Sequence, residues 1–247
     1  MHLYTICWNE EFLLPYFFRH YDELVDRYVV FDNGSTDRTP EILAKHPDVD
    51  VRPFSTREGF DAYVLAAQQV HNQCWKESRG EADWVIVTAV DEFLYAPRLG
   101  SYLATCTRKG VTAVPALGFQ MISRDLPSED RSLLDLVRRG CPWPQMNKLS
   151  LFDPNSIVET NQGGGRHRAA PTGRVQYPKK DILLLLHYKF LSPEYTFKRQ
   201  FDLYGWTRAE FDRRWAELER SSVPDVLDPG YDAFRPHPKR KAWWRGD

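Results

Sequence analysis

Ala82 to Tyr95 reads ADWVIVTAVDEFLY. Trp84 through Val90 is short, almost continuously apolar and rich in valine and isoleucine, which is the pattern of a strand buried inside a parallel sheet. The run ends in two carboxylates, Asp91 and Glu92, and apolar character resumes at Phe93 and Leu94. A buried carboxylate needs a partner cation or a metal. At the carboxyl end of such a strand it stands on the edge where open α/β sheets bind their ligands. A solvated turn is the plainer explanation, and the flanking segments decide between the two.

Upstream, His2 to Trp8 (HLYTICW) reads as a first strand followed by Asn9-Glu10-Glu11. Phe12, Leu13, Tyr16, Phe17 and Tyr21 then recur at helical spacing, with Asn9 as the expected cap and Pro15 early enough to be tolerated. Arg27 to Phe31 is a second strand, ending in the acid-bearing turn Asp32-Asn33-Gly34-Ser35-Thr36-Asp37, and a helix follows from Pro40 to Lys45. Val49 to Pro53 is a third strand. Gly59 to Glu77 is a long helix with Tyr63, Ala66, Ala67, Val70 and Cys74 on one face. This alternation predicts an α/β fold: a mostly parallel, Rossmann-type central sheet with right-handed crossovers, flanked by helices. Acids follow the first, second and fourth strands, so the site is expected along one sheet edge. There is no G-x-G-x-x-G after the first strand, no phosphate-binding G-x-x-x-x-G-K-[ST], and neither H-E-x-x-H nor G-x-S-x-G.

Downstream, a helix over Leu99 to Cys106 and a fifth strand over Val111 to Ala116 are expected. A loop from Gly118 to Asp130 then carries Arg124, Asp125, Glu129 and Asp130. Ser132 to Arg139 reads as helix, Met146 to Phe152 as strand, and Gly163 to Arg168 as a flexible basic loop. Asp181 to Leu186 is an apolar strand running into His187-Tyr188-Lys189. Ser192-Pro193 opens a helical C-terminal extension, with helices over Pro193 to Tyr204 and Thr207 to Arg220. The tail carries Arg235, Lys239, Arg240, Lys241 and Arg245 beside Trp243 and Trp244. It would make weak contact with a membrane surface or an anionic acceptor, or else stand solvated.

The chain has 247 residues, enough for one large α/β domain with an elaborated tail. A formal net charge of −1 gives no global field for nucleic acid or anionic lipid. Cys7, Cys74, Cys106 and Cys141 are scattered, with no CxxC pair, which argues against a zinc site or disulfide framework and for a reducing compartment. No run reaches membrane-spanning length, and the first strand begins too early to leave room for a signal peptide. A cytoplasmic protein, peripheral to the membrane at most, is expected.

The loops suggest their own chemistry. Asp32 and the turn after it offer a carboxylate and amides to a ribose or base edge. Asp91 and Glu92 are hard oxygen donors suited to Mg²⁺ or Mn²⁺ on a diphosphate, and His187 would add a nitrogen that favours Mn²⁺ over Ca²⁺. A buried histidine bonded to backbone is the plainer reading of His187.

Taken together, Asn9-Glu10, Asp32 through Asp37, Trp84 through Asp91-Glu92-Phe93, and His187-Tyr188-Lys189 resemble the family 2-like glycosyltransferases of the GT-A fold. The likeness is greatest to the bacterial branch whose metal motif runs D-x-D-E-F, and it covers Met1 to Lys198. It implies transfer of a sugar, of hexosyl type and with inversion, from a nucleotide diphosphate sugar to a hydroxyl on a carbohydrate, lipid-linked or small-molecule acceptor. By motif, Asp32 would hold the nucleoside, with Asn9, Asn33, Ser35 and Asp37 shaping its pocket and Arg57 nearby. Val90 and Asp91 would face the donor, and Asp91 and His187 would bind Mn²⁺ or Mg²⁺. The chain departs from the motif at Ala89, where the first aspartate of D-x-D is expected, so an inactive or metal-independent relative is a further reading.

Residues 1–116 would then form the nucleotide-sugar-binding half, 117–192 the acceptor-side half of the same domain, and 193–247 the C-terminal helices and tail. An inverting transfer needs a carboxylate within about 3 Å of the acceptor hydroxyl, and Asp125 or Glu129 is the expected base. The competing enzyme class is sugar-1-phosphate nucleotidyltransferase. It would normally place a glycine- and arginine-rich phosphate loop where this chain has Cys7-Trp8-Asn9-Glu10. A non-catalytic nucleotide-sugar-binding protein is the third reading.

Overall fold

The computed structural model describes residues 1–56, 60–128, 130–228 and 242–245. Its first half runs β1 (His2–Cys7), α1 (Leu14–Tyr21), β2 (Arg27–Asp32), α2 (Thr39–Lys45), β3 (Val49–Pro53), α3 (Phe60–Gln73), β4 (Val85–Val87) and β5 (Glu92–Tyr95). The second half runs α4 (Leu99–Arg108), β6 (Ala113–Ser123), α5 (Leu133–Leu136), β7 (Gly140–Pro142), β8 (Lys148–Phe152), β9 (Ile157–Glu159), β10 (Thr172–Gly173) and β11 (Leu184–Leu191). Helices α6 (Pro193–Tyr204) and α7 (Arg208–Ser221) follow.

One nine-stranded sheet runs β3-β2-β1-β4-β8-β6-β11-β5, with β7 paired to β6, and helices flank it. β1, β2, β3 and β4 are mutually parallel, as the alternation of strand and helix predicts. Beyond β4 the sheet is mixed. β8 is antiparallel to both its neighbours, β6 and β11 are parallel, and β5 closes the edge antiparallel to β11. Among the described residues the α-helix between β6 and β8 is the four-residue α5, followed by the short β7, so no long crossover helix carries the chain back for a parallel return. From β1 the chain steps outward to β2 and β3, then returns past β1 to β4. This reversal leaves a crevice at the carboxyl ends of β1 and β4, the place where open sheets bind ligands.

The segment that decides the fold is divided. Val85, Ile86 and Val87 are fully buried and form β4, but Thr88 leaves the strand. The Glu92 amide donates to the Ala89 carbonyl at 3.1 Å, closing a turn that carries Asp91 at its crest. Glu92–Tyr95 then forms β5 at the far edge of the same sheet. The single strand expected over Trp84 to Val90 is thus three residues of β4 followed by a turn.

Other boundaries also move. β6 runs on to Ser123, through what reads as loop from Gly118. Gly118 is required there, because a Cβ would come within 2.3 Å of Met146. α1 starts at Leu14 without a side-chain cap. Asn9 is not its cap: it takes a left-handed backbone, φ 52°, and turns its side chain to Thr36. Helix from Ser132 shrinks to α5, which Ser132 does cap.

The core lies on both faces of the sheet. On one, Phe17 and Tyr21 of α1 pack against Phe93, with Phe17 edge-on to it at 6.2 Å. On the other, Trp75 is buried edge-on to Phe152 at 4.9 Å. α7 is closed by a capping box between Thr207 and Glu210 and buries Phe211, Trp215 and Leu218. Among the described residues, no helix is long and apolar enough to cross a membrane.

The described tail residues are docked on the body. Trp244 is buried and donates to Asp181 at 2.8 Å, Trp243 donates to the Asn147 carbonyl at 2.9 Å, and Arg245 pairs with Asp181. These two tryptophans are packed on the domain and do not stand solvated. Arg235, Lys239, Arg240 and Lys241 lie outside the described residues.

Candidate active site

A cleft of about 1080 Å³ opens at the carboxyl ends of β1 and β4 and extends under α3, α6 and α7. Its floor is the turn Thr88–Glu92, and His187, Lys189 and Gln120 enter from β11 and β6. The neighbouring strands set this convergence: His187 is in register with Glu92 on one side and with Gln120 on the other.

Asp91 and His187 face each other, with Nε2 at 3.0 Å from Oδ2. The other ring nitrogen, Nδ1, lies 2.9 Å from Gln120 Oε1, so the buried glutamine fixes the ring's orientation and turns Nε2 toward the carboxylate. His187 is therefore held by two side chains and not by backbone. Burial pushes the Asp91 carboxyl up, but the facing His187 more than offsets this and holds it below the ordinary range.

Donor atoms of Asp91, Glu92 and His187 lie within 4.8 Å of one another. The three are not equivalent. Glu92 is buried, with one oxygen on Lys148 Nζ at 2.6 Å and the other on Arg166. Thr88 Oγ1 and the Ala89 amide add bonds of 3.2 and 3.3 Å. Burial pushes this carboxyl up and the two cations pull it well below its usual range. With both oxygens engaged, Glu92 is an internal counter-ion that neutralises the ground beneath the turn. Asp91 and His187 are the open donors, and Ala89 contributes no side-chain ligand.

Arg166 overturns the flexible-loop reading of Gly163 to Arg168. Gly164–Arg166 is a short 3-10 turn, and Arg166 is buried, donating to the Val87 carbonyl at 2.6 Å and to Ser150 Oγ at 3.0 Å. The loop is pinned by the charge that made it look solvated.

On the β1–β2 side, the expected nucleoside residues build one another. Asp32 Oδ1 accepts from Ser35 Oγ at 2.6 Å, and Ser35 Oγ accepts from the Asn9 amide at 2.9 Å. Asn9 Oδ1 accepts from the Thr36 amide at 2.8 Å. Asp37 accepts from the amides of Glu11 and Thr39, at 3.1 and 2.9 Å. These bonds tie the β1–α1 loop to the β2–α2 loop and bring Asn33 to the cleft wall, while Val90, buried, lines it beside Asp91. Asp125 is exposed on the loop after β6 and is not part of the cleft lining. Arg57 and Glu129 lie outside the described residues.

The opposite wall holds residues that sequence reading passed over. Arg199 of α6 bonds Glu10 Oε1 and the Asn9 carbonyl, each at 2.5 Å. Lys189 extends from β11 with its ammonium 4.8 Å from the Tyr204 ring and 5.4 Å from that of Trp206. Only the placement of Lys189 two residues after His187, on the same strand face, hinted at this. Buried polar atoms that lack a partner gather here as well. Glu10 Oε2, His71 Nδ1, Gln120 Nε2 and Gln200 Oε1 are all such atoms, and all four residues line the cleft. Buried polar groups are rarely left unpaired, so a concentration of them marks a place built for a polar ligand.

No family model matches this chain, and no curated protein matches it. Among solved structures, S. aureus TarS aligns with 87% of this chain and 42% of its own, at 14% identity and a TM-score of 0.40. The chain thus spans less than half of that protein's length. TarS 1-349 in complex with UDP-GlcNAc aligns over 87% and 70%, at 13% identity and 0.36. A 4-diphosphocytidyl-2C-methyl-D-erythritol synthase aligns over 62% and 75%, at 13% identity and 0.32. Likenesses this distant say nothing of this chain's reaction.

Proposed function

We propose that this protein is a glycosyltransferase of the GT-A kind, moving a hexosyl group with inversion from a nucleotide diphosphate sugar to a hydroxyl acceptor. The observation that carries the reading is the Asp91–His187 pair, open to a cleft at the switch point of the sheet and backed by a fully satisfied Glu92. One carboxylate oxygen and one imidazole nitrogen suit Mn²⁺ or Mg²⁺, which commonly take one or two protein carboxylates and complete their shell with substrate phosphates and water. Asp91 and His187 would hold the ion. When bound, it supplies charge neutralisation for a diphosphate leaving group.

The remaining work falls to the chain itself. Asp32 stiffens the turn that presents Asn33, and this loop, with Asn9, Ser35, Asp37 and Arg57, would receive the nucleoside. Lys189 adds a cation to the cleft, supporting the diphosphate from β11. The walls from α6 and α7 keep bulk water from the reacting bond. For the acceptor's proton, Asp125 or Glu129 remains the proposed base.

The test is incubation with UDP- and GDP-sugars and Mn²⁺, comparing wild type with Asp91→Asn. Sugar transfer or slow donor hydrolysis in the wild type, lost in the variant, supports the reading. Absence of both, with nucleotide binding unaltered in Asp91→Asn, ends it. Release of pyrophosphate from a sugar phosphate and a nucleoside triphosphate would point to a nucleotidyltransferase instead. Ala89 favours a second reading, a nucleotide-sugar-binding protein without turnover, which predicts binding but neither transfer nor hydrolysis.

A further inference from the structure

Glu10 is a buried carboxylate with one oxygen accounted for. Arg199 donates to Oε1 and also to the carbonyl of Asn9, so the guanidinium clamps both the side chain and the backbone of the β1–α1 loop. The Thr39 hydroxyl takes the Glu10 amide at 2.7 Å, fixing the residue from the other side. Its second oxygen, Oε2, is buried and has no partner, yet the residue lines the cleft. Glu10 is 8% exposed and Gln200, on the same wall, is 2% exposed with Oε1 equally unpartnered.

The chemistry of these atoms selects the ligand. An unpaired carboxylate oxygen and an unpaired amide oxygen both call for hydrogen-bond donors. A phosphate brings only acceptors and negative charge. It would meet the carboxyls of Glu10 and Asp91, which line the same cleft. An apolar group would leave both oxygens desolvated and unpaired, at a cost to binding. Hydroxyls fit, and a ring that offers several of them at once fits best. Glu10 and Asp91 line one cleft, and the polyhydroxyl ring that the glycosyltransferase reading brings there is the one attached to the donor's diphosphate.

We propose that Glu10, held by Arg199, and Gln200 bind hydroxyls of the transferred sugar, making this wall the sugar-reading side of the cleft. The proposal rests on the glycosyltransferase reading above and gives Glu10 and Gln200 roles that the resemblance did not assign. It assigns Glu10 a binding role, with Arg199 as the positioning residue.

The test is calorimetric titration in Mn²⁺ of UDP, GDP, UDP-glucose, UDP-N-acetylglucosamine and GDP-mannose. It compares wild type with Glu10→Gln, Glu10→Asp and Gln200→Leu. The expected result is that Glu10→Gln and Gln200→Leu each weaken the preferred nucleotide sugar about tenfold, the value of one hydrogen bond to a substrate. Affinity for the parent nucleotide stays within about twofold. Glu10→Asp keeps the charge opposite Arg199, withdraws the oxygen and gives an intermediate loss, which covers the case in which Glu10→Gln fails to fold. Equal losses for nucleotide and nucleotide sugar would overturn the proposal, placing Glu10 at the nucleoside or diphosphate. Unchanged affinities would overturn it in favour of water alone on these oxygens. A wild type that binds none of the five ligands removes the glycosyltransferase reading and this inference with it, whereas binding without the sugar-specific loss removes the inference alone.

Discussion

His187 Nε2 lies 3.0 Å from Asp91 Oδ2, although 96 residues separate them in the chain. Two features produce the contact: the antiparallel ladder of β5 and β11, which sets His187 against Glu92, and the Tyr188 amide, which donates to the Asp91 carbonyl at 2.7 Å. The pair is therefore held by backbone on both sides and by Gln120 behind the ring.

Asp91→Asn should abolish the Mn²⁺-dependent part of donor turnover, a loss of about a hundredfold or more, equivalent to about 2.7 kcal/mol of transition-state stabilisation. Gln120→Leu should leave the ligands in place but free the imidazole, weakening Mn²⁺ binding by about 10- to 100-fold. Electron paramagnetic resonance of free Mn²⁺ reads both affinities directly. An unchanged affinity in Gln120→Leu would show that the glutamine does not orient the ring.

Ala89→Asp restores a second acid beside Asp91. Because Ala89 lines the cleft and is only partly buried, the new side chain has room to face an ion. Mn²⁺ should then raise the melting temperature more in the variant than in the wild type, since a ligand stabilises in proportion to its affinity for the folded state. Equal shifts would mean that position 89 does not reach the metal.

Glu92→Gln removes the counter-ion from Lys148 and Arg166, both nearly fully buried. Breaking a buried charge cluster on one side costs about 3–5 kcal/mol, which in a chain of this size lowers the melting temperature by about 10 °C. Calorimetry on the purified variant checks it. A shift of a degree or two would mean that the cluster is solvated.

Glu92 should set the acid limb of the stability profile. It is held well below its ordinary 4.5, so its contribution is complete above pH 4.5 and is lost as the pH falls through its folded value. Thermal melts from pH 3 to 7 should show the acid limb flattened in Glu92→Gln.

Trp244→Ala should destabilise the chain by about 3 kcal/mol, because it empties a buried indole site and leaves Asp181 with one partner fewer. Chemical denaturation measures the loss. No change would show that the tail is not docked in solution.

The alternation of apolar strands with helices made β1 through β4 legible, because each buried parallel strand is a continuous apolar run and each helix shows its own period. Asp91 was legible for the same reason: a charge at the end of such a run has few places to go. The division of Val85–Val87 from Glu92–Tyr95 was not, since two short buried strands joined by a turn look in one dimension like a single longer strand. β6 beyond Gly118 was hidden by its glycine and its polar Gln120, each explained only by what lies across from it.

The sequence alone thus determined the parallel half of the sheet, the edge on which acids gather, and Asp91 and His187 as the residues to watch. These follow from local periodicity and from the cost of burying charge. Tertiary structure decided which acid is open and which is spent: Glu92 and Asp91 are neighbours of like chemistry, and only the arrival of Lys148 from β8 and Arg166 from the turn after β9 separates their roles. It also decided that Glu10 and Gln200 face the cleft unpaired, because an unsatisfied oxygen is defined by the absence of neighbours, which no local pattern of residues records.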